Sequence, residues 1–312
     1  ITPEAVELSD WLLKNRQFGQ KPVAFLSPNG ENVTSTPLPT FSNVENLAHI
    51  IHDLGVDTIV VLREIKENKI LVRALFQIIP RGISVIEFPA FHEAFTGKIP
   101  LSLIGEVWFL ENLVGAKKTS YEFFKRIIDI LTALFASIPT LILLPFVSLA
   151  IKLDSEGPVF YHQQRIGRHG KEFFVIKYRT MIKDAEKMSG FKEGGPDPRH
   201  TRIGRLLRKS YLDELPQIMN ILRGEMSFVG PRPERPHYVA ELKQKIPFYE
   251  MRLLTQPGIT GWAQVNMEND ASVEDAPEKM QYDLYYVKNR SFALDSVIIL
   301  RTLRIILQRR GR

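Results

Sequence analysis

No charged residue stands between Ile130 and Ile151, within the stretch KRIIDILTALFASIPTLILLPFVSLAIK that runs from Lys125 to Lys152. A helix needs roughly 20 apolar residues to cross the hydrocarbon core of a bilayer. Helices buried in soluble domains rarely run that far without a charge, so the stretch reads as a membrane segment. Pro139 and Pro145 interrupt it. Each lacks an N–H and collides with the preceding turn, so a break or kink is expected there. Lys125 and Arg126 flank the stretch on one side and Lys152 on the other, whereas a single crossing favours basic residues on one side only. The expectation is a re-entrant helix over residues 116–152 that enters and leaves by one face. Ser137, Pro139 and Pro145 mark its break.

Ahead of this segment the pattern alternates. KPVAFLS (21–27), DTIVVLR (57–63) and GISVIEFP (82–89) are short β-branched runs, as strands require. Between them, Val44, Leu47, Ile50, Ile51 and Leu54 make a helical stripe, and residues 67–79 repeat it. The order βαβαβ predicts a small Rossmann-like parallel sheet covered by helices, an α/β accessory domain over residues 1–115. No G-x-G-x-x-G follows the first strand; SPNGENV carries one glycine. A scaffold or regulatory role is therefore expected of this domain rather than a dinucleotide site. The isoleucine at position 1 suits a fragment or processed chain, and the opening residues do not read as a secretory signal.

Residues 153–312 are expected to form a mostly α-helical, membrane-associated domain. Its charge is basic, and the whole chain carries +6. That excess suits an anionic partner. Nucleic acid is disfavoured, because no aromatic-interleaved basic stripe is present. Cysteine is absent, which excludes disulfides and thiolate metal sites. The closing SVIILRTLRIILQRRGR sets Val297, Ile298, Leu300, Leu303, Ile306 and Leu307 against Arg301, Arg304, Arg309 and Arg310. It suits a helix lying on an anionic membrane, or an ordinary terminal helix equally well.

The densest charge lies around SYLDELPQ, residues 210–217. Leu215, Ile218, Met219 and Leu222 follow helical spacing and Gly224 closes the segment. A helix is expected to begin near Glu214, with Pro216 in its first turn and Asp213 at its N-cap. Arg202, Arg205, Arg208 and Lys209 precede it on one helical side, and Arg232 and Arg235 follow in the proline-bounded VGPRPERP. Arginines on stiff backbone recognise phosphate bidentately. An anionic side chain among them serves as nucleophile or metal ligand. On local pattern alone, a cap with a salt-bridge network explains the pair as well.

The ordered motifs go further than their parts. The KRIIDI opening, GPVFYHQQRIG, FFVIKYRTM, TRIGRLLRKSYLDELPQIMNILRGEMSFVGPRP, QPGITGWAQVN and YDLYYVKNRSFALD together resemble the bacterial sugar transferases. These are monotopic phosphoglycosyl transferases that start glycan assembly on polyprenyl phosphate. The resemblance covers about Lys125 to Arg312, and the amino-terminal part looks like the accessory domain of the longer members. It implies that Asp213 attacks the sugar-bearing phosphate of a nucleotide diphosphate sugar, usually a UDP-sugar. UMP leaves, and polyprenyl (undecaprenyl) phosphate then takes the sugar phosphate from the aspartyl intermediate. Glu214, with Asp213, would hold Mg²⁺, while Arg208, Arg232, Lys177, Arg179 and Arg202 would contact phosphate oxygens. Asp197 and Arg202 match the family's D-x-R…T-R stretch, where a structural ion pair serves as well. The resemblance also implies a homodimer at the cytoplasmic face of the bacterial inner membrane.

Two departures stand out. Many relatives carry an adjacent Ser-Pro pair in the membrane helix, whereas here Ile138 separates Ser137 from Pro139. After QVN, many relatives read Gly-Arg, whereas this chain reads MENDASVEDAPEKMQYDLYY, closer to the exopolysaccharide branch. A metal-dependent glycosyltransferase is the alternative enzyme, but it calls for an Asp-x-Asp motif that the chain lacks. A nucleotide-sensing membrane adaptor would leave the carboxylate pair and its arginines without a purpose.

Overall fold

A computed structural model describes residues 1–27, 36–42, 44, 46–62, 68–114, 118–185, 188, 197–267 and 274–308. The SPNGENV loop beyond Ser27, Arg309 and Arg310 lie outside them. The chain divides into two compact units, Ile1–Glu106 and Val107–Arg312.

In the first unit α1 (Pro3–Lys14) starts at Thr2, whose hydroxyl accepts from the Ala5 N–H at 3.3 Å. Strands β1 (Phe25–Leu26) and β2 (Thr40–Phe41) follow, then α2 (Leu47–Leu54), which Gly55 ends at φ 60°. β3 (Thr58–Val61), α3 (Lys69–Ile78) and β4 (Ser84–Glu87) make the crossover that the alternation predicts, with β4 parallel to β3 from Thr58↔Ser84 onward. α4 is Phe88–Thr96. Leu47, Ile51, Val61, Leu71, Leu75 and Ile78 form one core, and Leu8, Leu12, Phe88 and Phe91 another. Among the described residues the strands make two separate parallel pairs, where the sequence led to one sheet. β1 and β2 pair over two residues each, too few to extend a ladder.

At the start of the second unit α5 (Glu106–Phe109) leads towards α6 (Thr119–Asp154), a helix of 36 residues. Both prolines lie inside α6, so the break expected at Ser137, Pro139 and Pro145 is not a break in the helix. Local hydroxyls serve the backbone near the prolines. Ser137 Oγ donates to the Ala133 carbonyl at 2.7 Å, and Thr140 Oγ1 to that of Ala136 at 2.8 Å. α6 is the one helix among the described residues long and apolar enough to cross a membrane.

Both ends of α6 are tied to the same unit. Near its start, Arg126 donates to the carbonyls of Ile221 and Leu222 at 2.5 and 2.9 Å, and Asp129 accepts from the Phe228 N–H at 3.3 Å. Lys125 pairs with Asp295 at 2.7 Å. Lys125 and Arg126, the cations that flank the start of the apolar stretch, therefore have protein partners. Near its end, Ile151 packs with Tyr178 and Leu207, and Asp154 accepts from the Ile203 N–H at 2.8 Å. Between these anchors Leu131, Leu134, Phe135, Ile138, Leu141 and Phe146 stay exposed.

A hairpin follows, β5 (Phe160–Ile166) antiparallel to β6 (Glu172–Tyr178). α7 (Arg202–Lys209), a 3₁₀ helix (Leu212–Gln217) and α8 (Ile218–Arg223) then lead to β7 (Ser227–Val229). α9 (Pro236–Lys245) precedes β8 (Gly258–Thr260), which lies parallel to β7. α10 (Trp262–Asn266), α11 (Ala276–Asn289) and α12 (Phe292–Leu307) complete the unit. Ile298 is the buried residue of α12's apolar set; Leu300, Leu303 and Leu307 are exposed. Arg301 turns onto the Trp262 ring, its guanidinium 4.8 Å from the ring centre.

Candidate functional site

The carboxylate pair sits on a backbone that the sequence does not announce. Tyr211 adopts the left-handed conformation at φ 57°, a costly place for a bulky residue. Its N–H closes onto the Arg208 carbonyl at 3.1 Å, and its own carbonyl accepts from the Glu214 N–H at 3.2 Å. This turn swings the chain from α7 into the 3₁₀ helix. Asp213 and Glu214 thus lie in a tight first turn whose N-cap position is Tyr211, not Asp213. The buried face of the following α8 is Ile218 and Ile221, while Met219, expected on it, is exposed. The tighter 3₁₀ winding before Ile218 shifts the phase of the apolar stripe.

Two neighbouring elements bring cations to Glu214. Lys177, near the end of β6, contacts its Oε1 at 2.7 Å, and Arg232, from the proline loop after β7, contacts the same oxygen at 3.2 Å. Burial pushes the Glu214 carboxyl up, but the charges and hydrogen bonds of Arg232 and Lys177 outweigh it and hold the group at about 2. Asp213 fares differently. It forms no ion pair or hydrogen bond to another side chain among the described residues. Burial first, and the Glu214 charge second, push its carboxyl up to about 6 against the pull of Lys177 and Arg208. Adjacent carboxylates with environments that drive them apart in this way divide acid–base or nucleophilic roles.

The supports of this cluster are long-range. Asn220, fully buried on α8, accepts from the Ile176 N–H at 3.1 Å and donates to the Phe174 carbonyl at 2.7 Å, fixing β6 and hence Lys177. The Arg232 loop is pinned carbonyl by carbonyl. Pro231 accepts from the Gly258 N–H at 3.0 Å and Arg232 from Arg252 at 2.8 Å. Pro233 accepts from Arg165 at 2.8 Å and Glu234 from the Ile166 N–H at 2.9 Å. Arg252 is 3 % exposed, lies 2.7 Å from Asp283 and also holds the Tyr249 hydroxyl at 2.8 Å. Gly230 and Gly258 approach so closely that a Cβ on Gly258 would lie 2.1 Å from the Gly230 nitrogen.

The remaining expected phosphate contacts are placed elsewhere. Arg179 is buried at the end of α6, donating to the carbonyls of Ile151 and Ser155 at 3.3 and 2.6 Å. Arg202 is exposed in the first turn of α7, where its charge acts on Asp154. Asp197 is held by Arg199, not Arg202, through contacts of 2.7 to 3.1 Å, and the hydrogen bonds of that partner bring its carboxyl down to about 2. Arg208 lies nearer the pair and acts on Asp213. Sequence reasoning missed His200, Asn220, Arg252 and Asp283. His200 stands inside the D-x-R…T-R stretch, eight residues before Arg208, and Asn220 and Asp283 lie within quoted motifs, but nothing local marked any of them out.

For magnesium, the donors fit in kind. The pair offers oxygens only, and Glu214 stays ionised; Mg²⁺ is held by one or two carboxylates plus substrate phosphates and water. Among the described residues no larger carboxylate–histidine cluster occurs.

Residues 120–309 match the bacterial sugar transferase family. The chain belongs to that family. It is 38 % identical over 232 residues to a protein of Aeromonas hydrophila named UDP-N-acetylgalactosamine-undecaprenyl-phosphate N-acetylgalactosaminephosphotransferase, covering 72 % of this chain and 53 % of the relative. The undecaprenyl-phosphate galactose phosphotransferase of Salmonella typhimurium is 29 % identical over 320 residues, 96 % of this chain and 65 % of that one. The exopolysaccharide production protein ExoY of Sinorhizobium fredii is 34 % identical over 219 residues, 65 % of this chain and 94 % of its own length. The chain spans about half the length of the Aeromonas sugar transferase. Its similarity to the Salmonella protein takes in the first unit as well as the family region.

Proposed function

We propose that this sugar transferase moves a sugar 1-phosphate from a nucleotide diphosphate sugar, a UDP-sugar as the relatives' names suggest, to polyprenyl phosphate. The observation that carries the reading is the contrast between Asp213 and Glu214. A carboxylate raised to about 6 is ionised at neutral pH yet more basic, and so more nucleophilic, than an ordinary one. Its oxygen forms a bond to the sugar-bearing phosphorus while the bond from that phosphorus to the bridging oxygen breaks. Nucleoside monophosphate leaves with the electron pair. In the second step a polyprenyl phosphate oxygen bonds to the same phosphorus and expels the Asp213 carboxylate, giving polyprenyl diphospho-sugar. Phosphoryl transfer depends above all on positioning and charge neutralisation. Arg232, Lys177 and Arg208 supply fixed positive charge around the transferred group. Glu214 and Asp213 would hold Mg²⁺, which when bound neutralises the diphosphate.

One experiment tests the reading. Wild-type protein given UDP-sugar alone gains one sugar-phosphate in intact mass and releases UMP, whereas Asp213→Asn does neither. An adduct that survives the substitution puts the nucleophile elsewhere. The same assay after exhaustive EDTA treatment loses turnover and regains it with Mg²⁺; undiminished turnover removes the metal from the reading.

The second unit is proposed to sit at one membrane face, the cytoplasmic one where nucleotide sugars are made. The anchoring of both ends of α6 supports this. A spanning helix would separate its ends by a hydrocarbon core of about 30 Å, and one folded unit could not hold both without entering the lipid with its polar groups. The exposed apolar side chains between the anchors would face acyl chains. Single cysteines in place of Ser120 and Glu156, both exposed, label from the same side of oriented vesicles. Labelling from opposite sides makes α6 a spanning helix.

A further inference from the structure

The transfer scheme leaves His200 unused, although it touches a residue of the cationic cluster. Its Nε2 lies 2.8 Å from Arg208 Nη1, and its Nδ1 lies 3.2 Å from the Thr180 carbonyl. A guanidinium has donors only. The short contact therefore requires an unprotonated Nε2, which accepts from Arg208, and the single ring proton stands on Nδ1, donating to Thr180. The ring is wedged between the helix that carries Arg208 and a backbone on which that helix rests. The Thr201 N–H donates to the same Thr180 carbonyl at 3.1 Å. A Cβ on Gly204 would lie 2.0 Å from that oxygen, so α7 cannot shift towards it. So held, the imidazole presents Nε2 to Arg208.

We propose that neutral His200 is a positioning residue for Arg208, holding the guanidinium in the orientation that serves Asp213 and the substrate phosphate, and that protonation of the ring releases it. This rests on the reading of Asp213 as nucleophile. A flexible arginine side chain adds most to binding when it is fixed before substrate arrives. A proton on Nε2 removes the acceptor and sets a cation against a cation.

The charged groups facing the ring decide its state. Arg208 faces it from α7, and Asp197 and Arg199 face it from its own segment. Thr180, from the chain after β6, is uncharged. Asp197 Oδ2 stands 3.8 Å from Nε2 and would favour protonation, but that carboxylate is committed to Arg199. Burial and the Arg208 charge act the other way and hold the ring below its ordinary value. At neutral pH the ring is in its accepting form.

The test is UMP release from UDP-sugar by the full chain in membranes or detergent, from about pH 5 to 8.5, for wild type, His200→Ala, His200→Gln, Arg208→Ala and the His200→Ala, Arg208→Ala double variant. Gln carries an acceptor oxygen close to the place of Nε2 and does not titrate. Removing one hydrogen bond to a charged group lowers kcat/KM by about tenfold or more, so His200→Ala loses ~10-fold at pH 8, and His200→Gln recovers most of it. The double variant is no worse than Arg208→Ala, because both substitutions remove one interaction. On the acid side wild type falls with two protons and His200→Gln with one. The proposal is overturned if His200→Ala matches wild type, if Gln rescues nothing, or if the two single losses multiply. Should His200→Ala fail to fold, the number of protons in the acid limb of His200→Gln decides alone. Failure of the Asp213 reading shows separately, as an absent mass adduct, while the coupling of His200 to Arg208 is still measured.

Discussion

The two units bury different things. In the first, the core is aliphatic and aromatic, and the buried polar residues among those described are Ser9, Ser27 and Glu93. In the second, Asp129, Arg179, Arg252, Lys279, Asp283 and Asp295 are all buried, several of them paired across long stretches of chain. Buried ion pairs are weak stabilisers, because desolvation cancels much of their attraction. Their concentration around the Arg232 loop therefore points to placement rather than stability. Phosphate chemistry needs cations held at fixed points without water. A loop whose carbonyls are each claimed by a partner delivers Arg232 to Glu214 in that way. Among the described residues of the first unit, Glu93 is the one buried charge.

Substitutions can break this comparison. After the loss of turnover in Asp213→Asn, the largest effects belong to the buried pair. Removing one member leaves an uncompensated charge and costs about 3–5 kcal/mol, so Arg252→Ala lowers the unfolding midpoint of the second unit sharply and takes UMP release with it. Ile78→Ala in the first unit removes a comparable amount, about 2–5 kcal/mol, but leaves UMP release per folded molecule nearly unchanged. Urea unfolding followed alongside activity separates the two. If Ile78→Ala silences the enzyme as fully as Arg252→Ala, the first unit is part of the catalytic machinery and the contrast fails.

The sequence made parts of this legible and hid others for one physical reason. Features that depend on neighbours along the chain could be read: the uncharged run of α6, the crossover through α3, Gly224 as a helix end, and the carboxylate pair itself. Features that depend on distant partners could not. Lys177 meets Glu214 across 37 positions and Arg252 meets Asp283 across 31. Even local reading failed where backbone overrode propensity. Asp213 has the composition of a cap, but the left-handed turn at Tyr211 places it one step inside the 3₁₀ helix. Lys125 and Arg126 were legible only as the basic flank of the apolar run; their partners, Asp295 and the end of α8, were not.

A smaller effect sharpens the comparison within the site. On the proposed mechanism Asp213 must be ionised to attack, and its carboxyl is pushed up to about 6. As pH falls through that value kcat/KM declines tenfold per unit for one proton, and Glu214, held at about 2, adds nothing in this range. His200→Gln protein isolates the limb that belongs to Asp213. A midpoint near the ordinary carboxylate value of ~4 would mean that Asp213 is better solvated than its surroundings indicate.

The smallest effect concerns stability, and its sign differs between the two neighbours. A carboxyl raised in the folded state costs nothing below its unfolded value near 3.9. The cost then grows up to about pH 6 and stays constant above. Asp213→Asn removes that cost, so at pH 7 the protein gains on the order of 2 kcal/mol and melts a few degrees higher. Glu214 is depressed, and its contribution is present above its unfolded value near 4.3 and is lost as pH falls through about 2. Glu214→Gln forfeits a similar amount at pH 7, because Lys177 and Arg232 are left facing a neutral amide. Calorimetry at pH 7 should therefore move the two midpoints in opposite directions, and at pH 4 the gain of Asp213→Asn should shrink towards zero. Two shifts of the same sign would show that the pair shares one environment, and the division of labour between nucleophile and charged partner would lose its physical basis.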